Sequence, residues 1–247
     1  MSSLKFFKRF SPAIPAVFLL LASCKDQSPS LYKKSRLAMD TLVSISIYAD
    51  SEESAGMAFA AAFDEIARLE KMLNFYSDRS EISEINRNAG VIPVTVSSDV
   101  FAVIRKAIHV SEMTGGAFDI TVGAATALWD FKKGIKPDES VLAEKTKLIG
   151  FRDIVLDDEK STVFLAKKGM LIDPGGIVKG YAADRAAGEL RKSGIVSGVV
   201  AVSGDIAVFG GKPDGSPWEI GVKQPVAGSD EKEPVAVLKL SDAGVSK

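Results

Sequence analysis

The chain has 247 residues, enough for one large domain or two small ones. Apolar residues make up 46% and charged residues 26%, as in an ordinary globular protein, and the formal net charge is -1. That balance, with no block of like charge, leaves no electrostatic case for a nucleic-acid partner. Neither an internal repeat nor a low-complexity tract is present.

The first 24 residues read as an export signal. Lys5, Lys8 and Arg9 are basic, residues 12–21 are apolar but too short to span a bilayer as a mature helix, and Leu21-Ala22-Ser23-Cys24 follows. That ending resembles the bacterial lipobox, which implies lipidation at Cys24 and a domain anchored outside the cytoplasm, facing the periplasm or an equivalent space. A plain signal peptide with an incidental cysteine, or an uncleaved anchor, is the alternative. Cys24 is the only cysteine, so the chain can form no internal disulfide. Residues 25–38 are polar and read as a tether between membrane and domain.

The folded part opens at Met39-Asp40-Thr41. Residues 41–48 alternate, with Val43, Ile45 and Ile47 on one face and Ser44 and Ser46 on the other, as a half-buried strand does. Ser51 or Ser54 caps a helix running to about Leu73. Its stripe of Phe59, Ala62, Phe63, Ile66, Leu69 and Leu73 is core at helical spacing. Asn74-Phe75-Tyr76-Ser77-Asp78-Arg79 breaks the pattern, and Ser80 caps a short helix that turns Ile82 and Ile85 inward and ends near Asn88-Ala89-Gly90. Residues 91–94 suggest a short strand. Ser98 caps the next helix, whose buried stripe is Phe101, Ile104 and Ile108 and whose end is Thr114-Gly115-Gly116.

Asp119 then stands between Phe118 and Ile120. An acid in such a setting needs a partner or a ligand, unless Asp119 or Thr121 simply caps the segment 124–131. Pro137-Asp138 starts a helix that stops at Gly150. Residues 154–156, 162–166 and 170–172 read as strands joined by turns too short for parallel crossovers, hence antiparallel. A helix over 177–192 stops at Gly194. An apolar strand over 199–202 is interrupted by Ser203-Gly204-Asp205 and resumes over 206–209, and two more strands cover 218–222 and 235–240. Helices alternating with runs of hairpin strands indicate an α+β fold of mixed, largely antiparallel sheets with packed helices.

The stretch around which the chain is organised is Leu171-Ile172-Asp173-Pro174-Gly175-Gly176-Ile177-Val178-Lys179-Gly180-Tyr181-Ala182-Ala183-Asp184. An apolar run leads to an acid, then two glycines, then a helix start. Free backbone N–H groups and the helix dipole there suit an anion. Lys179 falls in the first turn, where a basic side chain opposes the dipole and a phosphate would offset the conflict. A solvated Lys on a common Gly-Gly turn is the plain alternative. The glycine spacing is neither a Walker loop nor a dinucleotide fingerprint. His109, the only histidine, sits beside Ile108 on an amphipathic helix and reads as a surface or core-edge residue. Asp119, Asp173, Asp184 and Asp205 are better site candidates. Asp184 reads as a supporting residue, and Asp205 either caps the loop after Gly204 or faces a cleft.

Met39-Asp40-Thr41, Tyr76 with Ser80-Glu81 and Asn86, Thr114-Gly115-Gly116-Ala117-Phe118-Asp119 with Thr121-Val122-Gly123, Asp173 to Gly180 with Asp184, Ser203-Gly204-Asp205 and Pro217-Trp218-Glu219-Ile220-Gly221 occur in that order. From about Met39 onward the chain resembles the ApbE family, the FAD:protein FMN transferases. The resemblance implies a single α+β unit that binds FAD in a cleft and moves FMN onto a Thr or Ser hydroxyl of exported flavoproteins, such as subunits of membrane redox complexes, with AMP leaving and magnesium required. It implies FAD contacts from Met39, Tyr76, Ala117, Phe118, Asp119, Asp173 and Lys179, a catalytic clamp at Lys179, and a magnesium ligand in the backbone carbonyl of Gly176. A magnesium-dependent FAD pyrophosphatase and a non-catalytic flavin-binding lipoprotein are the alternatives.

The chain departs from the family pattern in places. Asp40 stands where the family usually has Gly, and Ser203 where it often has Gly. The family's later Thr-Ser-Gly segment, a His-containing segment and an Asp-Pro-x-Thr-Gly-like motif, which supplies a magnesium-binding Asp and Thr, are not in the 247 residues. The domain over 39–247 is therefore expected to be incomplete at its C-terminus, and these residues alone to bind FAD poorly and transfer no FMN.

Overall fold

The computed structural model describes residues 28–130, 133–222 and 234–246, so the signal segment, Cys24 and the start of the tether lie outside the described residues. Ser30–Ala38, read from the sequence as tether, is instead a strand (β1). It pairs antiparallel with β2 (Thr41–Ala49), from Ser30 opposite Ala49 to Ala38 opposite Thr41. Its polar letters hide a strand because basic side chains cover the helix beneath. The Lys34 ammonium lies 6.0 Å from the Phe59 ring centre and the Arg36 guanidinium 4.6 Å from that of Phe63. Apolar stems lie on the rings while the charged heads stay in water.

Helix α1 (Glu52–Leu73) starts at Ser51, whose hydroxyl accepts from the Ser54 N–H, and α2 (Glu81–Arg87) starts at Ser80, whose hydroxyl accepts from Ser83. β3 is only Val94–Thr95, because Val91 and Ile92 are exposed in the turn before it. Ser97, not Ser98, caps α3 (Ser98–Met113), and its own N–H is held by the Glu81 carboxylate at 2.7 Å. A single helical turn, α4 (Gly123–Thr126), and α5 (Glu139–Thr146), capped by Asp138, follow. α5 ends four residues short of Gly150 and buries no side chain, so packing does not extend it.

β4 (Ile154–Asp157) and β5 (Thr162–Leu165) form an antiparallel hairpin, as expected, with β3 on the outer side of β5. Residues 170–172 are not a third ladder strand. Leu171 makes one parallel bridge to Val122, and Ile172 is held by a side chain instead of a strand. After α6 (Val178–Lys192) come β6 (Gly198–Val202) and β7 (Asp205–Phe209). These are two antiparallel strands rather than one interrupted strand. Val202 pairs with Asp205, so Ser203-Gly204 is a two-residue hairpin turn, and Ser203 has φ 59. β8 (Trp218–Val222) pairs with β9 (Ala236–Leu240), and a further short strand, β10 (Ala243–Val245), pairs with β7.

The main sheet has the order β1-β2-β6-β7-β10, with every neighbour antiparallel. Its inner face (Val43, Ile45, Ile47, Val200, Val202, Phe209) packs on Phe59, Phe63 and Ile66 of α1 and on Ala183, Ala186, Ala187 and Leu190 of α6. On its other face, Trp218 of the β8–β9 hairpin meets Tyr48 at 5.4 Å between ring centres. A second core gathers Leu69 and Leu73 from the end of α1 with Ile82, Ile85, Ile104, Ile120, Leu165 and Ile172. α1 therefore serves one core with its first turns and the other with its last. Each fully buried aliphatic side chain contributes about 1.5–3 kcal/mol, so the two cores fix α1, α3 and α6 firmly against one another.

Candidate active site

Where the two cores meet, a cleft of about 190 Å³ opens between the β1–β2 turn, the end of α1 and the start of α6. Met39, Tyr76, Asp173 and Lys179, all picked out from the sequence, line it together with Asp40, Glu70 and Val178. Met39-Asp40 is the two-residue turn between β1 and β2, with φ 52 and 55. With positive φ at both central residues this is a type I′ turn, which explains why glycine suits position 40 and why Asp, a residue tolerant of that region, can replace it. Met39 is held there by contacts with both cores. At the end of α1, the Asn74 carboxamide accepts from the Tyr76 N–H at 2.8 Å. This side-chain turn leaves the Tyr76 ring 73% exposed and edge-on to Phe75, at 5.1 Å and 85°.

Asp173 ends the segment 170–172 and turns the chain. One carboxylate oxygen accepts from the Gly175 N–H at 3.0 Å, the other from the Thr126 hydroxyl at 3.2 Å. Pro174–Gly176 forms a 3-10 turn, and α6 starts at Val178 with no side-chain cap. Its first N–H groups are thus left for another partner, as the sequence suggested. A Cβ at Gly176 would sit 3.0 Å from the Phe118 ring, so a side chain there would push that ring aside. Lys179 is half-buried in the cleft wall and makes no ion pair among the described residues. A cation without a carboxylate partner beside an uncapped helix start is an arrangement that fits an anionic group.

Ala117, Phe118 and Asp119 do not line this cleft. Phe118 packs beside Gly176. The Asp119 carboxylate is engaged within the chain: one oxygen accepts from the Thr121 N–H (2.8 Å) and hydroxyl (2.6 Å), the other from the Phe151 N–H (2.9 Å). Asp119 thus has its partners within the chain, and neither it nor Thr121 caps the following segment, since α4 starts after Val122 with no side-chain cap. His109 is exposed in a groove with Arg105 and Asp158, away from the cleft. Asp184 is exposed near Lys106, and Asp205 accepts from the Ser246 hydroxyl at the sheet edge. Among the described residues no three His, Cys, Asp or Glu side chains gather to hold a metal, and no donor reaches the Gly176 carbonyl.

One cluster went unnoticed in the sequence. Glu65 of α1, Asp99 of α3 and Tyr181 and Arg185 of α6 meet around Arg68. Arg68 binds Glu65 and Asp99, each at 2.7 Å; Arg185 binds Glu65 at 3.0 Å; the Tyr181 hydroxyl donates to Asp99 at 2.7 Å. The hydrogen bond from Arg68 holds the Glu65 carboxyl below its usual range against the opposing effect of burial. For Asp99, burial pushes the carboxyl up, but the Tyr181 and Arg68 hydrogen bonds outweigh it and the net shift is down. Burial, then the bond to Asp99, pushes the Tyr181 phenol up to about 12. The cluster ties α6, two residues beyond Lys179, to the helix whose end forms the opposite wall. Its sequence signal was polar residues, Glu65 and Asp99, on otherwise apolar helix faces.

The sequence profile of the ApbE family matches residues 39–246. A FAD:protein FMN transferase of Haemophilus influenzae is 29% identical over 242 residues, 94% of this chain and 69% of that protein. One of Klebsiella pneumoniae is 31% identical over 199 residues (80% and 60%), and one of Treponema pallidum 30% over 232 residues (87% and 63%). The chain thus spans about two thirds or less of the length of these curated relatives. The solved ApbE protein of Thermotoga maritima superposes with a TM-score of 0.77 at 28% identity, covering 87% of this chain and 69% of that one. The flavin transferase ApbE of Vibrio cholerae superposes with a TM-score of 0.75 at 24% identity, over 87% and 70%, a likeness of fold.

Proposed function

The chain belongs to the ApbE family, and on that premise we propose that this protein moves FMN from FAD onto a Thr or Ser hydroxyl of exported flavoproteins, releasing AMP. The observation that carries the reading is the uncapped start of α6 beside Lys179, which has no ion pair among the described residues, on a cleft rimmed by the exposed Tyr76 ring. FAD pairs a diphosphate with two ring systems, and this rim offers one element for the diphosphate and one for a ring. The diphosphate would lie over the first N–H groups of α6 with Lys179 as a clamp, and Tyr76 would stack on a ring. The cleft is smaller than the roughly 300–1,000 Å³ of a full ligand pocket, so the dinucleotide would extend beyond its rim.

In the reaction, the acceptor hydroxyl oxygen attacks the phosphorus of the FMN half, the phosphoanhydride bond to AMP breaks, and the hydroxyl proton is released to solvent as AMP leaves. Charge builds on the phosphoryl oxygens, and Lys179 and the α6 amides are the groups of this chain placed to stabilise it. Magnesium belongs to the proposal through the family. The described residues do not supply an octahedral oxygen shell, since the Gly176 carbonyl is one donor, so no step is assigned through the ion. The FAD contacts of Ala117, Phe118 and Asp119 are likewise proposals. So are lipidation at Cys24 and a location facing the periplasm or extracytoplasmic space, supported by the basic, apolar, Leu-Ala-Ser-Cys order of the N-terminus.

The test is incubation of the full-length protein with FAD, Mg²⁺ and a Thr-containing acceptor domain, followed by a denaturing gel and assay of free AMP. Flavin fluorescence that stays on the acceptor, with AMP released, supports transfer. Free FMN and AMP in equal amounts would replace it with FAD hydrolysis, and no AMP release would leave a flavin-binding protein.

A further inference from the structure

Asn86 sits in the Ser80-to-Asn86 segment that helped to identify the family, yet it lies outside the cleft described above. Its carboxamide faces Ile172 and makes both bonds a neighbouring strand would make. The amide nitrogen donates to the Ile172 carbonyl at 3.0 Å, and the amide oxygen accepts from the Ile172 N–H at 2.7 Å. The residues on either side of Ile172 are held from the opposite direction. Leu171 bridges Val122, and the Asp173 N–H donates to the Ile120 carbonyl at 2.8 Å. The segment 171–173 is therefore paired on one edge by backbone and on the other by one side chain. It leads straight into the Asp173 turn, the Gly175 N–H and the start of α6.

We propose that Asn86 is a positioning residue for this cleft: it acts as a one-residue strand and sets the place of Asp173, and through it the anion-facing turn. The proposal rests on reading the cleft as the FAD site. Carboxamide chemistry makes Asn the fitting residue. One planar group must donate and accept at once, at the spacing of a peptide unit, and among short side chains only Asn does both without a charge. Removing it leaves the N–H and carbonyl of the buried Ile172 without their partner, next to the turn that must hold still.

The experiment compares wild-type full chain with Asn86→Ala and Asn86→Asp. Amide hydrogen exchange is read at Ile172 and Gly175 and, as a remote control, at Ile45; FAD affinity is read by titration. In Asn86→Ala, protection at Ile172 and Gly175 is expected to fall about tenfold or more while Ile45 is unchanged, and FAD affinity to fall about tenfold. Asn86→Asp keeps the shape but, when ionised, loses the donor. Compared with wild type at the same pH, it is expected to resemble Asn86→Ala at pH about 7 and to recover protection at pH about 4, where the protonated acid can donate again. Unchanged exchange at Ile172, or loss of protection spread equally to Ile45, would overturn the positioning role. So would local loosening with wild-type FAD affinity. If wild-type chain itself binds no FAD while the exchange pattern holds, the reading of the cleft fails and the action of Asn86 on the turn stands alone.

Discussion

Tyr181→Phe and Asp99→Asn dissect the charged cluster beneath the cleft. Tyr181→Phe removes the single 2.7 Å bond to the Asp99 carboxylate and little volume. A hydrogen bond to a charged group is worth about 1.5–3 kcal/mol, and the neighbouring arginines still bind Asp99, so the loss should be about 1–2 kcal/mol. Asp99→Asn weakens the bonds to both Arg68 and Tyr181. Breaking a fully buried pair costs about 3–5 kcal/mol, but the Arg68 and Arg185 side chains are 43% and 39% exposed and can turn to water. A loss of about 2 kcal/mol is therefore expected, or a fall in Tm of roughly 4–8 °C for a domain of this size. The pH dependence carries a sign. Folded Glu65 and Asp99 titrate below their unfolded values, so their contribution is present above pH about 4 and is lost as the pH falls through the depressed values. Tyr181 is shifted the other way: its contribution is whole below pH about 10 and is lost as the pH rises through about 12. Urea denaturation across pH is the assay. Wild type should lose its advantage over Asp99→Asn in acid and over Tyr181→Phe in alkali. Equal stability of all three proteins at pH 7 would refute the view that this cluster locks α6 to α1 and α3.

In the full-length protein, Lys179→Ala should lower FAD affinity or transfer rate about ten- to hundredfold while leaving folding intact, and Lys179→Arg should recover only part, as read by titration calorimetry and the gel assay. Ser203→Gly should raise stability by about 0.5–1 kcal/mol in chemical denaturation, because a non-glycine residue at positive φ costs about 1–2 kcal/mol and the freer unfolded chain takes back part of it. Cys24→Ala should leave the protein unprocessed or soluble; unchanged size and membrane retention on fractionation would count against lipidation.

The fold was readable wherever burial followed a simple period. The alternation of Val43, Ile45 and Ile47 and the stripe from Phe59 to Leu73 define β2 and α1 almost to the residue. Reading failed where polar side chains do the work of apolar ones or of backbone. Lys34 and Arg36 cover phenylalanines and so disguised β1 as a tether. Asn86 replaces a strand beside Ile172, so residues 170–172 looked like a ladder strand without being one. At the site, Met39, Tyr76, Asp173 and Lys179 were legible from ordered motifs, and the structure brings them to one cleft. Asp119 looked equally like a ligand-seeking acid, because one of its partners, the distant Phe151 N–H, is set by tertiary folding. The Glu65–Arg68–Asp99–Arg185 cluster showed in the sequence only as Glu65 and Asp99 on otherwise apolar helix faces, because its members lie on three separate helices and meet only in the fold.

The central claim is that FAD lies over the start of α6 between Met39, Tyr76 and Lys179. Titrating FAD into isotopically labelled chain and following backbone amide shifts by NMR tests it directly, and detects even weak binding. The expected result is saturable shifts centred on Gly175, Gly176, Val178 and Lys179, spreading to Met39 and Tyr76 and reduced in Lys179→Ala. Shifts centred instead on the groove at Arg105 and His109, or none at saturating FAD, would contradict it.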